Sequence, residues 1–124
     1  MSEQTLYTRL GGYDAIAAVA ENLLPRLTSD PALGRFWANR SEDGVRREKQ
    51  LLIDFLCDRA GGPLFYTGRD MLLSHKGMNI SGSDWSAFIG HLEDTLDHFG
   101  LPERERSDVL AFIDSTRADI VETD

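Results

Sequence analysis

The sequence predicts an all-α fold, on three observations. Apolar residues recur at spacings of three and four through most of the chain, no segment alternates convincingly with period two, and capping or breaking residues bound the periodic stretches. At 124 residues and 41% hydrophobic content the chain can bury one ordinary core, so residues 1–124 are read as a single domain. No internal repeat, low-complexity tract or Gly/Ser-rich linker divides it.

In residues 14–28, DAIAAVAENLLPRLT, Ile16, Val19, Ala20, Leu23 and Leu27 form one helical stripe, with Pro25 late enough to predict a kink. Asp30 and Pro31 offer a cap and a first-turn proline for a short helix reaching Phe36 and Trp37. Residues 43–60 predict a helix with Val45, Leu52 and Leu56 on one stripe, stopped by Gly61, Gly62 and Pro63. A short apolar helical run then ends at His75, just before Gly77. From a Ser83 cap to Gly100 the pattern is clearest: Trp85, Phe88, Ile89, Leu92, Leu96 and Phe99 recur on one face. A last helix comes after Pro102, from about Glu103 to Val121, with Val109, Leu110, Ile113 and Ile120 inward.

Thirteen basic and twenty-one acidic side chains give a net charge of −8, which repels phosphate backbones and anionic lipid and makes nucleic acid and membrane poor partners. The longest apolar run falls well short of a bilayer span, and MSEQTLYTRL lacks a basic region followed by an apolar stretch, so a cytoplasmic location is expected. Cys57 is the sole cysteine, which excludes an intrachain disulfide and a cysteine-based zinc site and predicts a buried reduced thiol.

No serine or cysteine stands in a nucleophile-elbow context, and Gly11-Gly12 and Gly61-Gly62 read as turn glycines rather than a phosphate loop. Glu93, Asp94 and Asp97 read as a solvated helix face. His91 and His98, seven apart, share a helix face and flank the core stripe. His75 differs, because Met71 and Leu72 lie four and three residues earlier on its own face. The residues alone allow a helix-capping histidine or a metal ligand; an apolar wall with one imidazole suits a haem iron. Lys49 lies between Val45 and Leu52, so it either snorkels or points toward a cofactor cavity.

Six stretches taken in order resemble the truncated haemoglobins, group I, from Thr5 to Val121. LYTRLGGYDAI (6–16) is similar to the family's opening helix and glycine pair, and DPALGRFW (30–37) to its short segment carrying an aromatic against the haem. EKQLLIDFL (48–56) resembles the distal helix, AGGPLFYTGRDM (60–71) the second glycine motif, SHKGMNIS (74–81) the proximal histidine region, and GHLEDTLDHFGLPE (90–103) the late helix and its closing turn.

The resemblance implies a truncated globin-like two-over-two helical sandwich around haem b, with a very short first helix. It implies His75 as proximal iron ligand, with Phe36, Trp37, Met71, Met78, Ile80, Trp85 and Phe88 about the ring and Arg69 and Arg46 as partners of its propionates. Leu24 stands where the family commonly has a ligand-binding tyrosine, leaving Gln50 and Lys49 as the polar groups expected to face the ligand. Lys49 is in addition a candidate sixth iron ligand. No histidine comes after His98, so the late histidine that attaches covalently to haem in some relatives has no counterpart. The functions implied are binding of a diatomic gas (O2, CO or NO), with NO dioxygenation and a reductase partner. The alternatives are a six-coordinate redox or sensor haemoprotein and a cofactor-free acidic module that binds a partner through apolar faces.

Overall fold

The structure, a computed structural model, describes residues 4–38, 41–63, 66, 68, 71 and 75–123. Arg69 and Leu72 therefore lie outside the described residues. Six α-helices are described: α1 (Leu6–Leu10), α2 (Tyr13–Thr28), α3 (Glu42–Arg59), α4 (Gly82–His98), α5 (Glu103–Asp114) and α6 (Arg117–Ile120). A single 3-10 turn, Gly34–Trp37, lies between α2 and α3. Among the described residues the sole β-type pairing is an isolated parallel bridge between Ser81 and Thr123.

Helix α2 is the hub, packing on α1, α3, α4 and the 3-10 turn. Its stripe explains why: Ile16, Ala20, Leu23, Leu24 and Leu27 are all buried. Around this stripe, Ile53, Leu56 and Cys57 of α3, Trp85, Leu92 and Leu96 of α4, and Val109 and Ile113 of α5 complete one continuous core. Short helix α1 is held from both sides, by the Tyr7 N–H on the Ala60 carbonyl at 2.8 Å and by Arg9 on Glu105 and Asp108 of α5 at 3.1 and 2.7 Å.

Local chemistry moves several expected boundaries. Asp30 accepts from the N–H groups of Ala32 and Leu33 at 2.7 and 3.0 Å and closes the turn after α2, but the element beyond is a 3-10 turn with Leu33 at its N-cap and no side-chain cap, rather than an α-helix capped by Asp30. The cap of α4 is Ser81, not Ser83, because Ser81 and Asp84 form a reciprocal capping box. The last helix is interrupted at Ser115 and Thr116, whose hydroxyls donate back to the carbonyls of Phe112 and Ile113. Phe99, expected on the inward stripe of α4, is 40% exposed because it lies at the C-cap beyond the last helical turn. Cys57 is fully buried, and that burial, helped by Asp54, pushes its thiol upward.

Candidate functional site

A cavity of about 300 Å³ opens within this framework. Helix α2 contributes Leu24 and Leu27, the 3-10 turn Phe36 and Trp37, and α3 one side made of Glu48, Leu51, Leu52 and Phe55. Tyr66, Met71, His75, Met78 and Ile80 line it from the segment between α3 and α4. Asp84, Trp85 and Phe88 of α4 and Ile113, Thr116 and Ile120 complete it. Aromatic pairs stiffen the walls: Trp85 and Phe88 have ring centroids 5.4 Å apart, as do Phe55 and Tyr66, and Phe36 meets Trp37 edge-on at 6.4 Å.

Among the described residues His75 is the only imidazole on the cavity wall. Its Nδ1 lies 2.9 Å from the Met71 carbonyl oxygen, four residues earlier in the chain. A ring that donates from Nδ1 to a carbonyl carries its lone pair on Nε2, the tautomer a metal takes. The other two histidines do different things. His91 Nε2 lies 2.7 Å from Asp30 Oδ2, a contact that, with the Leu33 and Ala32 amides, holds the Asp30 carboxyl below its usual range. His98 is exposed at the end of α4, edge-on to Phe99.

Polar groups on the wall have partners of their own. The Trp37 indole Nε1–H donates to Glu48 Oε2 at 2.7 Å. Buried Asp84 accepts from Arg35 at 2.7 Å and from the Ser81 N–H at 3.0 Å; the Arg35 hydrogen bond, then the Ser81 amide, keep its carboxyl below the ordinary aspartate range. Arg35, which carries no signal in the sequence, also lays its guanidinium over the Phe36 ring at 4.2 Å.

Of the residues singled out in the sequence, Phe36, Trp37, Met71, His75, Met78, Ile80, Trp85 and Phe88 come together on this one cavity. Lys49, Gln50 and Arg46, expected to face a ligand or a propionate, are not among the residues that line it. Lys49 Nζ pairs with Glu21 at 3.2 Å, Gln50 donates to the Tyr13 hydroxyl at 3.1 Å and to Asp54 at 3.0 Å, and exposed Arg46 pairs with Asp43 at 3.2 Å. The cause is helical phase. Glu48, Leu51, Leu52 and Phe55 take i, i+3, i+4 and i+7 on the cavity side, and at about 100° per residue positions 49 and 50 turn away toward α2 and solvent. That same spacing is the available signal for Glu48, Leu51 and Phe55.

The wall thus offers a mostly apolar surface, edge-on and tilted aromatic pairs and one oriented imidazole, a donor set that fits the flat ring and single nitrogen ligand of haem. Comparisons with known proteins agree. The family model for bacterial-like globins matches residues 5–122. The chain is 30% identical to the group 1 truncated haemoglobin of Tetrahymena pyriformis, covering 95% of each chain, and 32% identical to group 1 truncated haemoglobin GlbN of Mycolicibacterium paratuberculosis, over 88% of this chain and 78% of that one. The crystal structure of the Tetrahymena pyriformis protein in its Fe(III) form superposes with a TM-score of 0.87 at 30% identity, over 95% of this chain and 98% of that one. The fold is accordingly the two-over-two helical sandwich, and haem-based binding of diatomic gases is the general activity that comes with the family. The chain belongs to the bacterial-like globins as a group 1 truncated haemoglobin, with haem b as its cofactor.

Proposed function

We propose that His75 is the axial ligand of haem b in this cavity, and that O2, CO or NO is taken up on the face walled by α2 and α3. One observation carries the assignment: the single imidazole on a mostly apolar wall has its Nδ1 pinned to the Met71 carbonyl, which sets both ring rotation and tautomer. When bound, the haem iron supplies an open coordination position for a small gas. Leu24, Leu51 and Leu52 exclude water from the ligand face and offer it no hydrogen-bond donor. The one acid there, Glu48, is engaged by the Trp37 indole. A face of this kind admits small neutral gases and releases them readily. Consumption of NO by dioxygenation, with a reductase returning the iron to the ferrous state, belongs to the same reading and requires NO to reach bound O2 before that O2 leaves. Closure of the iron by Lys49 would require the amine to leave Glu21.

Absorption spectra of the ferric, ferrous and CO-bound forms test the assignment. His75→Ala is expected to lose haem or change all three spectra, whereas His91→Ala and His98→Ala keep them. Lys49→Ala is expected to match wild type in the ferrous state across pH. Wild-type spectra in His75→Ala would remove the axial role from His75. A low-spin ferrous wild type that turns high-spin in Lys49→Ala would establish the closed six-coordinate form instead.

A further inference from the structure

The turn just after His75 is held by the far end of the chain. Gly77 and Asn79 both adopt left-handed backbone, at φ of +89° and +56°, and Asn79 is the only non-glycine residue with positive φ among the described residues. Little side-chain packing supports this turn: Lys76, Gly77 and Asn79 are exposed, and a Cβ at Gly77 would meet nothing within 4 Å. Its N–H groups converge instead on one carboxylate. Glu122 Oε2 accepts from Gly77 at 3.1 Å and Oε1 accepts from Asn79 at 2.9 Å, the geometry of a backbone anion nest occupied by the chain's own acid.

The backbone on either side of Glu122 is laced to the same stretch. The N–H groups of Glu122 and Thr123 donate to the Ile80 carbonyl at 2.8 and 3.3 Å, and the Gly82 N–H donates to the Thr123 carbonyl at 2.9 Å. The two stretches joined this way each carry cavity wall: Met78 and Ile80 on one, Thr116 and Ile120 on the other. The hydrogen bonds from Gly77 and Asn79 also hold the Glu122 carboxyl below its ordinary range, as expected of an acid kept ionised in a nest.

We propose that residues 122 and 123 form a clasp that fixes the turn after His75, and that Glu122 is a positioning residue for the axial histidine. The part concerning the histidine rests on the haem assignment above. The two contacts made by the carboxylate are charge-assisted hydrogen bonds to a left-handed turn, so losing the carboxylate frees the turn rather than merely the side chain.

The test compares full-length wild type, Glu122→Gln and Glu122→Ala. In the haem-free protein, amide exchange at Gly77 and Asn79 is expected to quicken at least roughly tenfold in Glu122→Ala, with the amides of α4 unchanged and Glu122→Gln intermediate. In the haem-loaded ferrous protein, the iron–histidine stretching band is expected to shift or broaden, and haem transfer to an excess of a scavenging apoprotein to quicken about tenfold, on the same scale. Unchanged exchange at both amides would overturn the clasp. Faster exchange with an unmoved stretching band and unchanged haem transfer would overturn the positioning role. If wild type took up no haem, the axial assignment would fail while the exchange comparison still decided the clasp. Should Glu122→Ala fail to fold, Glu122→Gln, which can accept through only one oxygen, carries both comparisons.

Discussion

Residue by residue, the site divides into what residue type announces and what helical phase decides. His75 is legible in the sequence as a residue on an apolar face, through its spacing from Met71, and it stands on the cavity wall; its axial role comes from the family resemblance. Lys49 and Gln50 are not, because standing between Val45 and Leu52 does not say on which side of α3 a side chain leaves: Leu52 lines the cavity, while Lys49 and Gln50 meet Glu21 and Tyr13 of α2. Arg35 gives no signal, since a lone arginine in a turn declares neither its Asp84 partner nor the Phe36 ring beneath it. Two substitutions probe this scale. Leu24 is 7% exposed and lines the cavity without a donor, so Leu24→Tyr should slow oxygen release by roughly tenfold or more, a hydrogen bond being worth about 1 to 3 kcal/mol; stopped-flow or flash photolysis reads it. The Asp84 carboxyl titrates below the ordinary aspartate value of 3.8 in the folded protein, so its stabilising effect is complete above that value and lost as pH falls through the lower folded one. Asp84→Asn should cost about 1 kcal/mol at neutral pH, modest because Arg35 is half exposed, and should flatten the acid limb of the stability curve in denaturant titrations.

At the scale of elements, α2 to α5 are legible because each carries a full apolar stripe with recognisable ends. The short pieces are not. Helix α1 has five residues, too few to show a period, and is fixed by tertiary contacts to Ala60, Glu105 and Asp108. The 3-10 turn is four residues long, and the break at Ser115–Thr116 goes with side-chain hydrogen bonds that compete with the helix ladder. One close approach locks α1 onto the end of α3: a Cβ on Gly62 would lie 2.6 Å from the Tyr7 ring. Gly62→Ala must displace that ring, and a loss of about 1 to 3 kcal/mol is expected in chemical or thermal unfolding, since overpacking of a fitted contact costs that much.

Across the whole molecule, one core supports a packed helical hub and a cavity wall whose turn after His75 is bonded to residues distant in sequence. Helices α2, α3 and α4 bury the core, while the His75 turn depends on a few hydrogen bonds from residues 122 and 123. The order of motifs makes the architecture legible in the sequence, whereas the pairing of residues 77–82 with 122–123 is not, because backbone hydrogen bonds leave no trace in residue type. No helix described is long and apolar enough to cross a membrane. All of the proposed gas chemistry passes through a single imidazole, so the most direct measurement is the ferrous absorption spectrum of haem-loaded His75→Gly before and after adding imidazole. A spectrum unlike wild type that free imidazole returns to the wild-type form is the predicted result. A wild-type spectrum in the variant without imidazole would contradict the assignment of His75 as the axial ligand.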